Sequence, residues 1–221
     1  MRTKAKLISN ILIAIAIGLL LTGSGIAFHD WHANKTANQH AAKLVYNANH
    51  NISHAVPATT PATPSAFASY TVAADLPRYI YIPKLSVQAI IKPLGLTAAG
   101  QLATPNNVYD TGWYTKSSQP GQPGAAVIDG HVSSWTTNGV FYGLKTLQAG
   151  DAIQVERGDG TKLNYLVVKK QVYGYQQVDM SAVLSPVEAD KPGLNLITCT
   201  GDVIKGTNDF TERVVIFAVE T

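Results

Sequence analysis

The sequence predicts an all-β domain with short helices, closed into a barrel of seven to eight strands and preceded by one N-terminal transmembrane helix. Three observations carry this. Runs rich in β-branched and aromatic residues recur between turn signals from Leu76 onward. Helical patterning is confined to two short stretches. A charge-free apolar span, Leu7 to Ala27, follows Arg2, Lys4 and Lys6 near the N-terminus.

The elements follow in chain order. Residues 1–6 are a basic cytoplasmic N-terminus, and residues 7–27 are long enough to cross a hydrocarbon core as a helix. Three basic residues before the span, against only Lys35 soon after it, place the N-terminus in the cytoplasm and the rest outside. A single-pass anchor in the cell membrane is the expected localisation. The rival is a cleaved signal peptide, which the small residues of Gly23-Ser24-Gly25-Ile26-Ala27 leave open.

Residues 28–75 read as a disordered extracytoplasmic linker, rich in Ala, Asn, Thr and His and punctuated by Pro57, Pro61 and Pro64. Tyr70 to Asp75 are either the end of that linker or a lid over the domain. Five of the six histidines lie in or beside this stretch, irregularly spaced and without a carboxylate or thiol cluster, so no metal site is assigned to them. Residues 76–221 form one domain of about 145 residues, ample for a single core. Strands are expected at 78–82, 87–91, 125–128, 152–156, 163–170, 194–199 and 213–219. Gly158-Asp159-Gly160 supplies a hairpin turn, and short helices are expected at 141–147 and 180–184.

Charge excludes one class of function. Residues 76–221 carry nine Lys and three Arg against twelve Asp and Glu, so the net +3 comes from the first 75 residues. The basic balance reports topology, and no nucleic-acid partner is expected. Neither a glycine-rich phosphate loop nor a dinucleotide fingerprint appears, and no cofactor is expected. Asp110, Asp151, Asp179 and Glu188 are scattered without ligand spacing, so no metal is expected either.

The chemistry-bearing residues are few. Cys199 is the only cysteine, and His131 is the only histidine of the folded segment. One cysteine forms no intrachain disulfide, and an exported free thiol is a liability unless it is buried or useful. A buried structural cysteine beside an unrelated histidine is the plain alternative. Thiolate attack with imidazole proton transfer is the functional one. Cys199 ends one expected strand, His131 follows another, and Arg213 opens the last, where a rigid scaffold presents reactive groups beside loops. Asp129 shares a face with His131 only if the strand stays regular through Gly130. Trp113 and Trp135 are candidates for core packing first and for a peptide groove second.

Leu196-Ile197-Thr198-Cys199 resembles the Thr-Leu-x-Thr-Cys signature of the sortases. Arg213-Val214-Val215-Ile216-Phe217-Ala218 resembles their arginine strand, and Ala126-Val127-Ile128-Asp129-Gly130-His131 the strand that delivers their histidine. Gly112-Trp113-Tyr114, Pro120-Gly121 with Gly124, and Gly139-Val140-Phe141-Tyr142 fit in the same order. The resemblance is nearest to class F, with class E next. Asn195 stands where the signature usually has threonine, and Thr200 where the nearest class has glycine.

The resemblance implies a membrane-anchored cysteine transpeptidase. It would cleave a Leu-Pro-x-Thr-Gly-like sorting signal between threonine and glycine and pass the protein to a cell-wall amine, such as a lipid-linked peptidoglycan precursor. It assigns catalysis to Cys199, His131 and Arg213, and substrate binding to Thr198 and Thr200. A hydrolase with the same acyl-enzyme and a non-catalytic surface module remain alternatives. An L,D-transpeptidase does not fit, because its Ser-His-Gly before the cysteine is replaced here by Leu196-Ile197-Thr198.

Overall fold

Eight strands close into a barrel in the order β1-β2-β3-β4-β7-β8-β6-β5 in a computed structural model, which describes residues 59–96, 102–207 and 209–221. The strands are β1 Pro77–Ile82, β2 Val87–Leu94, β3 Thr111–Tyr114, β4 Ala125–Gly130, β5 Ala152–Arg157, β6 Lys162–Gly174, β7 Gly193–Val203 and β8 Phe210–Glu220. Neighbours pair antiparallel except β2 with β3 and β4 with β7, which run parallel. Among the described residues no helix is long and apolar enough to cross a membrane. The expected anchor at Leu7–Ala27 lies outside the described residues.

Strand patterning explains the closure. On β4, β7 and β8 one face carries Ala126, Ile128, Leu194, Leu196, Val214 and Ile216 into the barrel interior. The other face carries Val127, Ile197, Val215 and Phe217 into a second apolar cluster with Val178, Met180 and Val183. These last three belong to the β6–β7 connection, which contains the short helix α2, Met180–Val183, capped by the Asp179 side chain. Strands buried on both faces read as continuous apolar runs, which is why β4, β7 and β8 were so visible in the sequence. A slip of one residue would exchange the two faces, so the double burial fixes register.

Several expected elements change in detail. β3 was not anticipated as a strand; it is four residues long and carries the Gly112-Trp113-Tyr114 motif. The helix expected at 141–147 is a single 3-10 turn, Leu144–Thr146, because Gly143 and the buried Leu144 and Leu147 serve a tight corner and not a helical stripe. The long loop expected between Cys199 and Arg213 is shorter than its sequence implied. β7 runs on to Val203 and β8 begins at Phe210, past a ladder irregularity after Thr200.

The last part of the segment read as linker carries structure of its own. A six-residue helix, α1, spans Pro64–Ser69, with Thr63 as N-cap accepting from the Ala66 amide and Pro64 in the first turn. Phe67 stacks on Tyr79 of β1 with centroids 4.2 Å apart. Arg78 donates from Nε to the Tyr70 carbonyl at 2.7 Å and from Nη2 to the Ala68 carbonyl at 3.1 Å. Residues Tyr70–Asp75 run along the β1–β5 side, where the Asp159 amide donates to the Ala74 carbonyl at 3.0 Å. No contact between Tyr70–Asp75 and the Cys199 cavity appears among the described residues.

Candidate active site

The β7–β8 ladder pairs Cys199 directly with Arg213. Directly opposed residues share a face of the sheet, and alternation puts both on the outer face with Ile197 and Val215. On the other side of β7, β4 runs parallel with Asp129 level with Ile197. Carried on for two residues, that register sets His131 level with Cys199. The Thr198 hydroxyl holds this junction together, donating to the Gly130 carbonyl at 2.6 Å. Two paired strand positions and the residue that follows β4 therefore set Cys199, Arg213 and His131 at the same end of three neighbouring strands.

Each partner is held by its own contacts. His131 Nε2 donates to the Pro105 carbonyl at 2.8 Å, so the β2–β3 connection fixes the ring and its proton. Arg213 is only 7% exposed. Its Nη1 donates to the Phe210 and Glu212 carbonyls, both at 3.0 Å, and its Nη2 donates to Asp209 Oδ1 at 3.1 Å. Cys199 is partly accessible and lines a cavity of about 110 Å³ with Thr198, Thr200, Phe141, Tyr142 and Phe210. Thr198 and Thr200 thus both reach the site, though the Thr198 hydroxyl is already bonded to β4. A larger cavity of about 400 Å³ lies between α1, β2 and Asp110, with neither Cys199 nor His131 in its wall.

Electrostatics at the thiol are balanced. Burial pushes the Cys199 thiol above its ordinary value; Arg213 pulls it down, and Asp209 and Asp129 push it up. Burial thus outweighs Arg213, the one cation in place to support the thiolate when it forms.

Asp129 lies in the same face, two residues before His131, and Gly112 of β3 makes its room. A Cβ at Gly112 would sit 2.4 Å from the Asp129 carboxyl. Burial pushes this carboxyl from 3.8 up to about 8, with its own backbone amide as the one group pulling it down. No bond from Asp129 to His131 occurs in the structure, so the histidine is oriented through Pro105. An acid raised in the folded state favours folding at low pH, and that contribution is lost as pH climbs from about 4 to about 8. Each unit is worth roughly 1.4 kcal/mol, discounted here because solvent reaches part of the group. Asp129→Asn is expected to flatten the decline, so that its melting temperature exceeds the wild type's by several degrees at pH 8 and matches it at pH 4. Parallel melting curves across that range would refute the buried neutral acid.

The histidine is also held from behind. A Cβ at Gly139 would lie 2.2 Å from the His131 carbonyl oxygen, a backbone clash that no rotamer relieves. Gly139→Ala is expected to displace His131 and cut turnover about 100-fold, as a 1 Å misplacement can. The stability cost should stay near 1–3 kcal/mol. Turnover unchanged in a folded Gly139→Ala protein would mean that His131 need not hold this position.

Three contributors escaped the sequence reading. Asp209 and Pro105 act through loop geometry, which has no sequence signal. Asn195 did leave one, as a departure from the threonine of the signature. It is fully buried and donates from Nδ2 to the Val183 and Ser185 carbonyls at 2.8 and 2.9 Å, pinning the segment after α2 to the barrel. The tryptophans divide: Trp113 is in the core with Nε1 donating to the Ser118 carbonyl, whereas Trp135 is 72% exposed. The four acids scattered along the sequence have other surroundings. Asp151 pairs with Lys84, Glu188 pairs with Lys191, Asp179 caps α2 and Asp110 sits half-buried near Lys92. Among the described residues no three His, Cys, Asp or Glu side chains gather as an ion site.

Comparison with known proteins agrees with the geometry. The sortase domain family matches residues 80–221. No curated protein matches the chain. Among solved structures, sortase C-1 from Actinomyces oris is 22% identical, with 84% of this chain and 98% of that one covered and a TM-score of 0.50. Sortase C1 of Streptococcus agalactiae in complex with MTSET is 18% identical, covering 84% and 89% with a TM-score of 0.51. A lid mutant of sortase A from Corynebacterium diphtheriae is 18% identical, covering 85% and 95% with a TM-score of 0.50. At these identities the likeness is one of fold, and it is the family match over residues 80–221 that decides: the chain belongs to the sortase family and is a sortase-type cysteine transpeptidase.

Proposed function

We propose that this transpeptidase cleaves a Leu-Pro-x-Thr-Gly-like sorting signal between threonine and glycine and transfers the new carboxyl end to a cell-wall amine. One observation supports the assignment of roles: Cys199 pairs with Arg213 on β8, and His131 directly follows β4, the strand that runs parallel beside β7. Cys199 attacks the threonine carbonyl as thiolate, forming a thioacyl-enzyme. His131 as imidazolium protonates the departing glycine amine, then accepts a proton from the incoming amine. Arg213 stays protonated and serves the tetrahedral oxyanion or the substrate backbone. Thr200 lines the cavity for the signal peptide, and Thr198 acts on it chiefly by holding β7 against β4.

The anchor and linker supported by the sequence put the barrel outside the membrane with the N-terminus in the cytoplasm. There the acceptor amine is that of a lipid-linked peptidoglycan precursor. By sequence resemblance the nearest subclass is class F, with class E next.

The test uses the full-length chain with a Leu-Pro-x-Thr-Gly peptide and triglycine. Intact mass should reveal an acyl adduct, and chromatography a peptide–triglycine product. An adduct resolved only by water would replace transfer with hydrolysis. A reduced thiol that gives no adduct with any peptide varied at the proline and threonine positions would overturn the substrate class.

A further inference from the structure

Arg213 does not wait free for a substrate. It has five N–H groups. Two on Nη1 go to the Phe210 and Glu212 carbonyls, and one on Nη2 goes to Asp209. Among the described residues, the Nε–H and the second Nη2–H have no partner. The Asp209 pair is not an ordinary surface contact, because the two side chains are only 9% and 20% exposed. Exposed pairs contribute almost nothing, whereas a desolvated pair fixes the geometry of both members. The carboxylate sits at the end of the β7–β8 connection, four residues before the arginine it holds.

We propose that Asp209 is the positioning residue of Arg213: it fixes the guanidinium beside Cys199 before a sorting signal arrives, leaving two N–H groups free for the reacting carbonyl. The proposal rests on the reading of Arg213 as the electrostatic partner of the reaction. The single Nη2–Oδ1 contact adds a charge-assisted bond to the two backbone carbonyls on Nη1, so the planar fork is held at both of its Nη ends.

Asp209 has a second effect, opposite in sign. Its negative charge lies close enough to Cys199 to disfavour the thiolate. The charged and titratable groups around the thiol are Arg213, Asp209 and Glu212 from the β7–β8 hairpin, Asp129 from β4 with His131 just after it, and Tyr142 and Lys145 from the segment before β5. Removing only the Asp209 charge should therefore make the sulfur more reactive and the enzyme slower. Loss of a structural prop does not produce that opposition.

The experiment compares wild type, Asp209→Asn, Asp209→Glu, Arg213→Ala and the double variant Asp209→Asn/Arg213→Ala in the full-length chain. Peptide–triglycine transfer is one readout, and iodoacetamide alkylation of Cys199 against pH is the other. Asp209→Asn is expected to lower kcat about 10-fold, to leave KM within about twofold, and to move the alkylation midpoint to lower pH. Asp209→Glu should restore both. In the Arg213→Ala background the same substitution should cause no further loss of transfer, with acyl adduct counted by intact mass if turnover is slow. Wild-type kcat in Asp209→Asn would overturn the proposal, as would an equal loss in both backgrounds. Asp209→Ser gives the same comparison should the amide fold badly. Full activity in Arg213→Ala would instead remove the reading beneath it.

Discussion

Cys199→Ala is expected to lose transfer entirely, on the order of 10⁶-fold as for removal of a catalytic nucleophile, while the barrel stays folded. The loss follows from what remains. His131, Arg213 and the cavity would still bind a peptide and polarise its carbonyl, but no group stands opposite Arg213 to form the acyl bond. Neither neighbouring threonine takes its place, because Thr198 is hydrogen-bonded to Gly130 and Thr200 sits a residue further along β7. The fold should tolerate the change, since Cys199 is partly accessible and lies outside both apolar clusters. Melting temperature, peptide binding and intact mass together make the check. Binding retained without an adduct is the expected result. Transfer retained in the alanine variant would return the chain to a non-covalent mechanism.

The second large effect is at Arg213. Arg213→Ala should lower kcat by about 100- to 1000-fold, the usual loss on removing one oxyanion donor. Arg213→Lys should recover only part of this, because an ammonium carries the charge without the fork that meets Asp209, Phe210 and Glu212 together. The acid limb of the rate profile should also move. Arg213 is the one group that pulls the thiol toward ionisation, so its removal shifts the requirement for thiolate to higher pH. A kcat within threefold of wild type, with the profile unmoved, would deny the arginine any part in the chemistry.

Some of this was legible before any coordinates. β4, β7 and β8 announce themselves because both of their faces are buried, so their apolar runs are uninterrupted. Cys199, His131 and Arg213 could be placed at strand ends for the same reason. The parallel pairing of β4 with β7 was not legible, since nothing local in either strand names its partner. β3 escaped because four residues are too few to establish an alternation around Gly112. The helix α1 escaped because its stability comes from Phe67 on Tyr79 and from Arg78, contacts outside its own six residues. Asp129 and Asp209 could be seen as acids, but their placement about the thiol depends on Gly112 and on the β7–β8 turn.

The Thr198–Gly130 bond joins residues 68 positions apart, across a parallel pair that no hairpin can nucleate. Pairings of this span are slow to form, because the closure entropy of the intervening chain comes before any contact offsets it. The reactive centre is therefore among the last things the folding chain completes. Until then the thiol has at most Arg213 opposite it across the β7–β8 hairpin and no imidazole to move a proton. Chemical competence arrives with topology, so a misfolded copy of this enzyme is also an inert one.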